Sequence, residues 1–134
     1  MTGGAGELIL IVEDNDKNRK LVRDILQVTG YRTLETTTGE EGLRVAREAR
    51  PALVLMDIQL PGMTGIEALR ALRADPATRA IPVMAVTASV MTHSRQQLLA
   101  AGFDGYQEKP IDVKAFLLTV RRVLDRARER GEEG

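Results

Sequence analysis

Short β-type runs alternate with segments of helical period along the whole chain, and that alternation restricts the fold to a parallel sheet with helical crossovers. The candidate strands are Leu8–Glu13, Tyr31–Thr36, Ala52–Met56, Val83–Thr87 and, more weakly, Gly105–Glu108. Three of them are continuous apolar runs, as strands covered on both faces should be. Between them, Leu21, Val22, Ile25 and Leu26 form one helical stripe that Gly30 can end, giving a first helix over Asp16–Thr29. Thr38 with Glu41, and Thr64 with Glu67, have the spacing of capping boxes that open the second and third helices. Asp75-Pro76 breaks the third helix, and Pro82 precedes the fourth strand. A fourth helix spans Thr92–Ala101 and stops at Gly102. A fifth begins near Asp112 and carries Phe116, Leu117, Val120, Val123 and Leu124 as its core stripe, which leaves Leu118 off the stripe as an exposed residue.

The expected architecture is therefore α/β, a (βα)5 doubly wound five-stranded parallel sheet in the order 2-1-3-4-5. A chain of 134 residues has room for one such core, placed over residues 8–125. Residues 1–7, with Gly3, Gly4 and Gly6, read as a flexible lead, and 126–134, where the apolar stripe is lost, as a frayed tail. In sheets of this kind ligands bind beyond the carboxyl ends of the strands, so the chemistry is sought there.

Strand one ends in Glu13-Asp14, strand three in Asp57, strand four in Thr87 and strand five in Lys109-Pro110. Converging carboxylates repel, by roughly 4 kcal/mol for two unit charges about 4 Å apart at an effective dielectric near 20. Lys109 supplies one balancing charge, and a hard divalent cation, for which Mg²⁺ is the natural candidate, supplies two more. The chain uses 15 Arg and only 4 Lys, so a Lys here reads as a choice of a compact ammonium suited to a single phosphate or carboxylate oxygen. Taken singly, Asp14 could be a helix N-cap, Asp57 a turn residue, Thr87 a helix start and Lys109 a surface charge. All four on one sheet edge point instead to a phosphoryl site.

Composition removes most rivals. Zero cysteines exclude disulfides, zinc–thiolate sites and Cys nucleophiles. The lone His93 excludes a two-imidazole site and reads as a surface helix residue, and the only serines, Ser89 and Ser94, lie in no nucleophile elbow. Nineteen basic against nineteen acidic residues give no net field for a polyanion, and four aromatics offer little stacking, so no nucleic acid is expected as partner. No apolar run approaches the roughly 20 residues of a membrane span and no signal peptide opens the chain, so no membrane association is expected and the protein reads as cytoplasmic. Asp14-x-Asp16-x-Asn18 imitates a calcium loop, but Arg19 and Ile25 stand where Gly and Glu are required. The same Asp-x-Asp resembles the nucleophile motif of haloacid-dehalogenase phosphatases, but leaves Asp57 unused. A flavodoxin-type phosphate loop would need small residues after strand one, where Glu13–Lys17 is acidic.

The runs Ile11-Val12-Glu13-Asp14-Asn15, Asp57-Ile58-Gln59-Leu60-Pro61-Gly62-Met63-Thr64-Gly65, Val86-Thr87-Ala88 and Tyr106-Gln107-Glu108-Lys109-Pro110 together resemble the motifs of bacterial response-regulator receiver domains, from about Leu8 to Leu124. Within that family, the Glu-Asp-Asn opening and the Asp-Ile-Gln-Leu-Pro run are similar to those of hybrid histidine kinases and of stand-alone relay proteins of the DivK type. Thr64 stands where the family commonly has Asp. The resemblance implies that Asp57 takes a phosphoryl group from a histidine kinase or histidine phosphotransfer protein. It implies that Asp57 and Asp14 coordinate Mg²⁺, Glu13 doing so through water, with the Gln59 backbone carbonyl as a further ligand. It assigns Lys109 and Thr87 to the phosphoryl oxygens, Thr87 and Tyr106 to a switch, and Gln59 and Ser89 to access of hydrolytic water. It implies a cis Lys109–Pro110 bond. The chain would be a phosphoacceptor and not an enzyme in any wider sense, with output by protein contact through helix four, strand five and helix five.

Overall fold

The computed structural model describes residues 4–88 and 95–133. Its elements are β1 (Leu8–Val12), α1 (Asp16–Val28), β2 (Arg32–Thr36), α2 (Gly39–Ala49), β3 (Leu53–Asp57), α3 (Gly65–Ala74), β4 (Val83–Thr87), α4 (Arg95–Ala101), β5 (Gly105–Glu108) and α5 (Val113–Glu133). The strands form one parallel sheet in the order β2-β1-β3-β4-β5. Strand one pairs with both β2 and β3, so the chain order switches there, and β3 lies at the centre.

Strand periodicity divides the core in two. Leu10, Val12, Val54, Met56, Val83 and Ala85 face one side, where Ala46 of α2, Leu69 and Leu72 of α3 and Leu98 of α4 cover them. Their neighbours Ile9, Ile11, Leu53, Leu55, Met84 and Val86 face the other, under Val22 and Leu26 of α1 and Phe116, Val120 and Val123 of α5. Period-2 alternation with apolar residues at both parities is what a sheet covered on both faces requires. The five apolar positions expected on α5 are all buried, and Leu118 is exposed.

Several local expectations need correcting. Leu21, expected on the buried stripe of α1, is 46% exposed, because the helix meets the sheet through Val22 and Leu26, with Ile25 packed beside them. The N-cap of α1 is Asn15, whose side chain accepts from Asn18 N, so Asp14 does not have that role. Thr64 and Glu67 close a full capping box, whereas Thr38 only accepts from Glu41 N. Helix α5 continues to Glu133, past the point where fraying was expected; Arg130 Nη2 lies 3.4 Å from Asp104 Oδ1 and ties that end to the α4–β5 turn. From Gly4 onward the N-terminal lead is held, with Gly4 N donating to Thr29 O, Gly6 N to Gly30 O, and Glu7 paired to Arg121 at 2.8 Å. Ser89, His93, Ser94 and the start expected for the fourth helix at Thr92 fall outside the described residues.

Candidate functional site

The carboxyl ends of β1, β3, β4 and β5 deliver Glu13-Asp14, Asp57, Thr87 and Lys109 to one edge of the sheet. Asp57 is the last residue of β3, one residue beyond the strand end expected from sequence. Its apolar predecessors bury it in the sheet, and it is 5% exposed. The chain then turns through Gly62, at φ +73°, and returns so that Gly65 opens α3 directly against Asp57. A Cβ at Gly65 would lie 2.4 Å from the Asp57 carbonyl oxygen, so only glycine permits this approach.

Lys109 reaches into the edge from the end of β5. Its ammonium donates to Glu13 Oε1 at 2.6 Å and to Asp57 Oδ2 at 3.3 Å. The other oxygens are also held: Asp57 Oδ1 accepts from Gln59 N at 3.0 Å, and Glu13 Oε2 from Asn15 N at 3.2 Å. The Lys109–Pro110 bond is cis, as the sequence resemblance implies. Carboxylate oxygens of Glu13, Asp14 and Asp57 lie within 4.8 Å of one another, with Glu13 and Asp57 buried and Asp14 exposed. The Asp14 carboxylate thus stands between the buried pair and solvent.

The electrostatics follow from that packing. Burial drives the Glu13 carboxyl up to about 7, the adjoining Asp57 carboxylate adds to the rise, and Lys109 opposes it. Burial works to lower the Lys109 ammonium, but the hydrogen bond to Glu13 and the charges of Asp57 and Glu13 outweigh it and raise the group. Three acids against one ammonium leave a formal deficit of two positive charges, and every donor is a hard carboxylate oxygen. This donor set suits a divalent cation of the Mg²⁺ class.

The remaining candidates surround this cluster. Thr87 is buried at 1% exposure, and its backbone carbonyl accepts from Lys109 N at 2.7 Å. Gln59 is exposed and reaches Asp57 through its backbone N–H. Tyr106 is apart from the cluster, half-buried, with Oη donating to Glu108 Oε2 at 3.4 Å. Two supporting residues escaped the sequence reading. Arg19 Nη1 donates to the Glu13 carbonyl at 3.0 Å while Nη2 pairs with Asp16 at 2.6 Å, which braces the acidic loop. Asn15 fixes the same loop through its cap and its N–H on Glu13. The Asn15–Asn18 spacing carries a signal for the cap, whereas nothing in the spacing of Arg19 reveals its contact.

Comparison with known proteins agrees with this geometry. The family model "Response regulator receiver domain" matches residues 9–121. The polar-differentiation response regulator DivK of Brucella anthropi is 45% identical over 116 residues, covering 87% of this chain and 94% of that protein. Among solved structures, the receiver domain of the sensor histidine kinase PA1611 of Pseudomonas aeruginosa is similar, with a TM-score of 0.78 and 34% identity over 91% of this chain and 97% of that one. That structure has a magnesium ion coordinated in its active-site cleft. The chemotaxis response regulator CheY4 of Vibrio cholerae gives a TM-score of 0.80 at 30% identity, covering 88% and 98%. An acidic strand-edge cluster with one lysine, on a β2-β1-β3-β4-β5 sheet whose sequence matches the family from β1 into α5, has one reading: the chain belongs to the response regulator receiver domain family of two-component signalling.

Proposed function

We propose that Asp57 accepts a phosphoryl group from a phosphohistidine on a histidine kinase or histidine phosphotransfer protein, and that the phosphorylated chain signals by protein contact. The observation that carries this reading is Lys109 Nζ held between Glu13 Oε1 and Asp57 Oδ2, beside the exposed Asp14 carboxylate. One Asp57 carboxylate oxygen forms the new O–P bond as the donor's N–P bond breaks, and the imidazole leaves with the electron pair and takes up a proton from solvent.

Glu13, Asp14 and Asp57 are the residues that would hold Mg²⁺, with the Gln59 backbone carbonyl as a further ligand, and the ion would supply neutralising charge to the phosphoryl oxygens. Lys109 stays protonated throughout and turns its ammonium toward a phosphoryl oxygen. The Thr87 hydroxyl donates to another. Movement of Thr87 makes room for Tyr106 to turn inward from its half-buried position, so that a local charge event biases the surface formed by α4, β5 and α5. The downstream target binds that face. The only chemistry is the chain's own phosphorylation and dephosphorylation, carried out in the cytoplasm.

Phosphotransfer from a panel of radiolabelled histidine kinases and phosphotransfer domains of the same cell tests the reading. Rapid transfer from one donor, abolished by Asp57→Asn, is expected; no transfer from any donor, with or without Mg²⁺, overturns it.

A further inference from the structure

At the end of the sheet opposite Asp57, the last turns of α5 stand over the α3–β4 connection. Two cavities of about 520 and 360 Å³ flank this crossing and share Ala80, Ile81 and Ala127 in their walls, so they adjoin as the two halves of one cleft. Each is within the size range of ligand sites. Its floor is apolar, made of Pro51, Ile81, Pro82, Leu124 and Ala127.

The rim is basic. Arg73, Arg79 and Arg130 line one half and Arg121 and Arg128 the other, against Glu7 and Asp104 in the walls and Asp125, which pairs with Arg121 at 3.0 Å, so five positive and three negative charges leave an excess of two. All three acids are already engaged. Glu7 Oε2 lies 2.8 Å from Arg121 Nη1, and Asp104 Oδ2 lies 2.8 Å from Arg73 Nη2 while also accepting from Val83 N at 2.9 Å. Arg79 is exposed and has no carboxylate partner among the described residues. In a chain whose basic and acidic residues cancel overall, such an excess is a local segregation of charge.

We propose that this cleft is a docking site for an acidic peptide segment of a partner protein, with an apolar side chain on the Ile81–Ala127 floor and carboxylates on the arginine rim. Charge complementarity gives the sign of the ligand, and the apolar floor between the two arginine groups calls for an alternation of acidic and apolar side chains. No aromatic side chain lines the cleft, which leaves nothing on which a nucleic-acid base could stack. The site lies by Pro51 and Pro82, which precede β3 and β4, whereas Asp57 ends β3. An occupant therefore leaves the acidic cluster open to a phosphodonor, and the contact acts as a tether independent of phosphorylation.

The test is an amide-resolved NMR titration of the full chain with the peptide acetyl-Asp-Glu-Leu-Glu-Asp-amide and with its Asn/Gln counterpart. The acidic peptide is expected to shift the amides of Ala80, Ile81 and Ala127, with the same affinity before and after beryllofluoride is added. Arg79→Glu combined with Arg128→Glu should weaken it about tenfold, and Arg79→Glu alone should weaken it measurably, with phosphorylation of Asp57 unchanged in both. The proposal is overturned if the neutral peptide binds equally, if the shifts fall on another surface, if neither variant changes the affinity, or if an oligonucleotide binds the cleft as tightly as the peptide.

Discussion

Lys109 holds Glu13 more closely than it holds Asp57: its ammonium is 2.6 Å from Glu13 Oε1 and 3.3 Å from Asp57 Oδ2. Glu13 precedes the turn into α1 and Asp57 ends β3, so one lysine from the far side of β4 joins three segments of chain. In the proposed reaction the ammonium would keep its closer bond to Glu13 and turn from Asp57 toward the incoming phosphoryl oxygen.

The cluster of Glu13, Asp14 and Asp57 is under-neutralised by Lys109 alone, so removing one of its buried charges should relieve repulsion. In the absence of divalent cations Asp57→Asn is expected to stabilise the fold by about 1–2 kcal/mol. Urea unfolding measures this, and the gain should shrink when Mg²⁺ is added. A loss of stability would mean that the carboxylate contributes more through the Lys109 and Gln59 bonds than it costs in repulsion.

Asp14 is exposed and does not cap α1, so its carboxylate is available to a cation. Asp14→Ala should leave the fold within about 0.5 kcal/mol of its original stability while lowering Mg²⁺ affinity at least tenfold. Calorimetric titration decides it. Unchanged Mg²⁺ affinity would remove Asp14 from the metal site.

Tyr106 is bonded to Glu108 at the surface and packs against the α2–α3–α4 side of the core, away from the acid cluster. A residue so placed can carry the signal without taking part in the transfer. Tyr106→Ala should leave phosphorylation of Asp57 largely intact and reduce the change in target affinity that phosphorylation produces, a coupling of about 1–3 kcal/mol. Chemical shifts followed with beryllofluoride provide the readout: changes confined to the strand-end loops and absent from Tyr106 and α5 would contradict this role.

The Glu7–Arg121 pair closes the N-terminal lead onto α5 at 2.8 Å. Partial burial works to raise the Glu7 carboxyl, but hydrogen bonds from the Ala5 N–H, its own N–H and Arg121 outweigh it, and the group is lowered. A carboxyl lowered on folding contributes stability that is full above its unfolded value and is lost as pH falls through its folded value. Thermal unfolding as a function of pH should therefore show Glu7→Gln less stable near neutrality by about 0.2–1 kcal/mol. The difference should vanish in acid, below the ordinary glutamate range. A difference that persisted there would assign the effect to packing instead of charge.

The fold was legible because its signals are local. The parity of Ile9 to Val12 and of Val83 to Val86 states that both faces are covered, and Thr64, Pro82 and Gly30 mark ends of elements in their own immediate sequence. The strand-end acids could be grouped because a parallel sheet delivers all strand ends to one edge. What was not legible depends on approach between distant segments. Leu21 fits the helical stripe as well as Val22 does, yet only the contact of α1 with the sheet decides which is covered. Arg19 bracing the Glu13 carbonyl, and Arg73 collecting the carbonyls of Arg79, Ile81 and Gly102 together with Asp104, are contacts that long side chains make across turns, with no period to reveal them.

The central claim is that Asp57 alone is phosphorylated, and peptide mapping by mass spectrometry tests it most directly. After reaction with acetyl phosphate and Mg²⁺, borohydride trapping of the acyl phosphate should mark one residue, Asp57, and Asp57→Asn should carry no mark at all. A mark on Asp14 or Asp16, or one that survives in Asp57→Asn, would contradict the account.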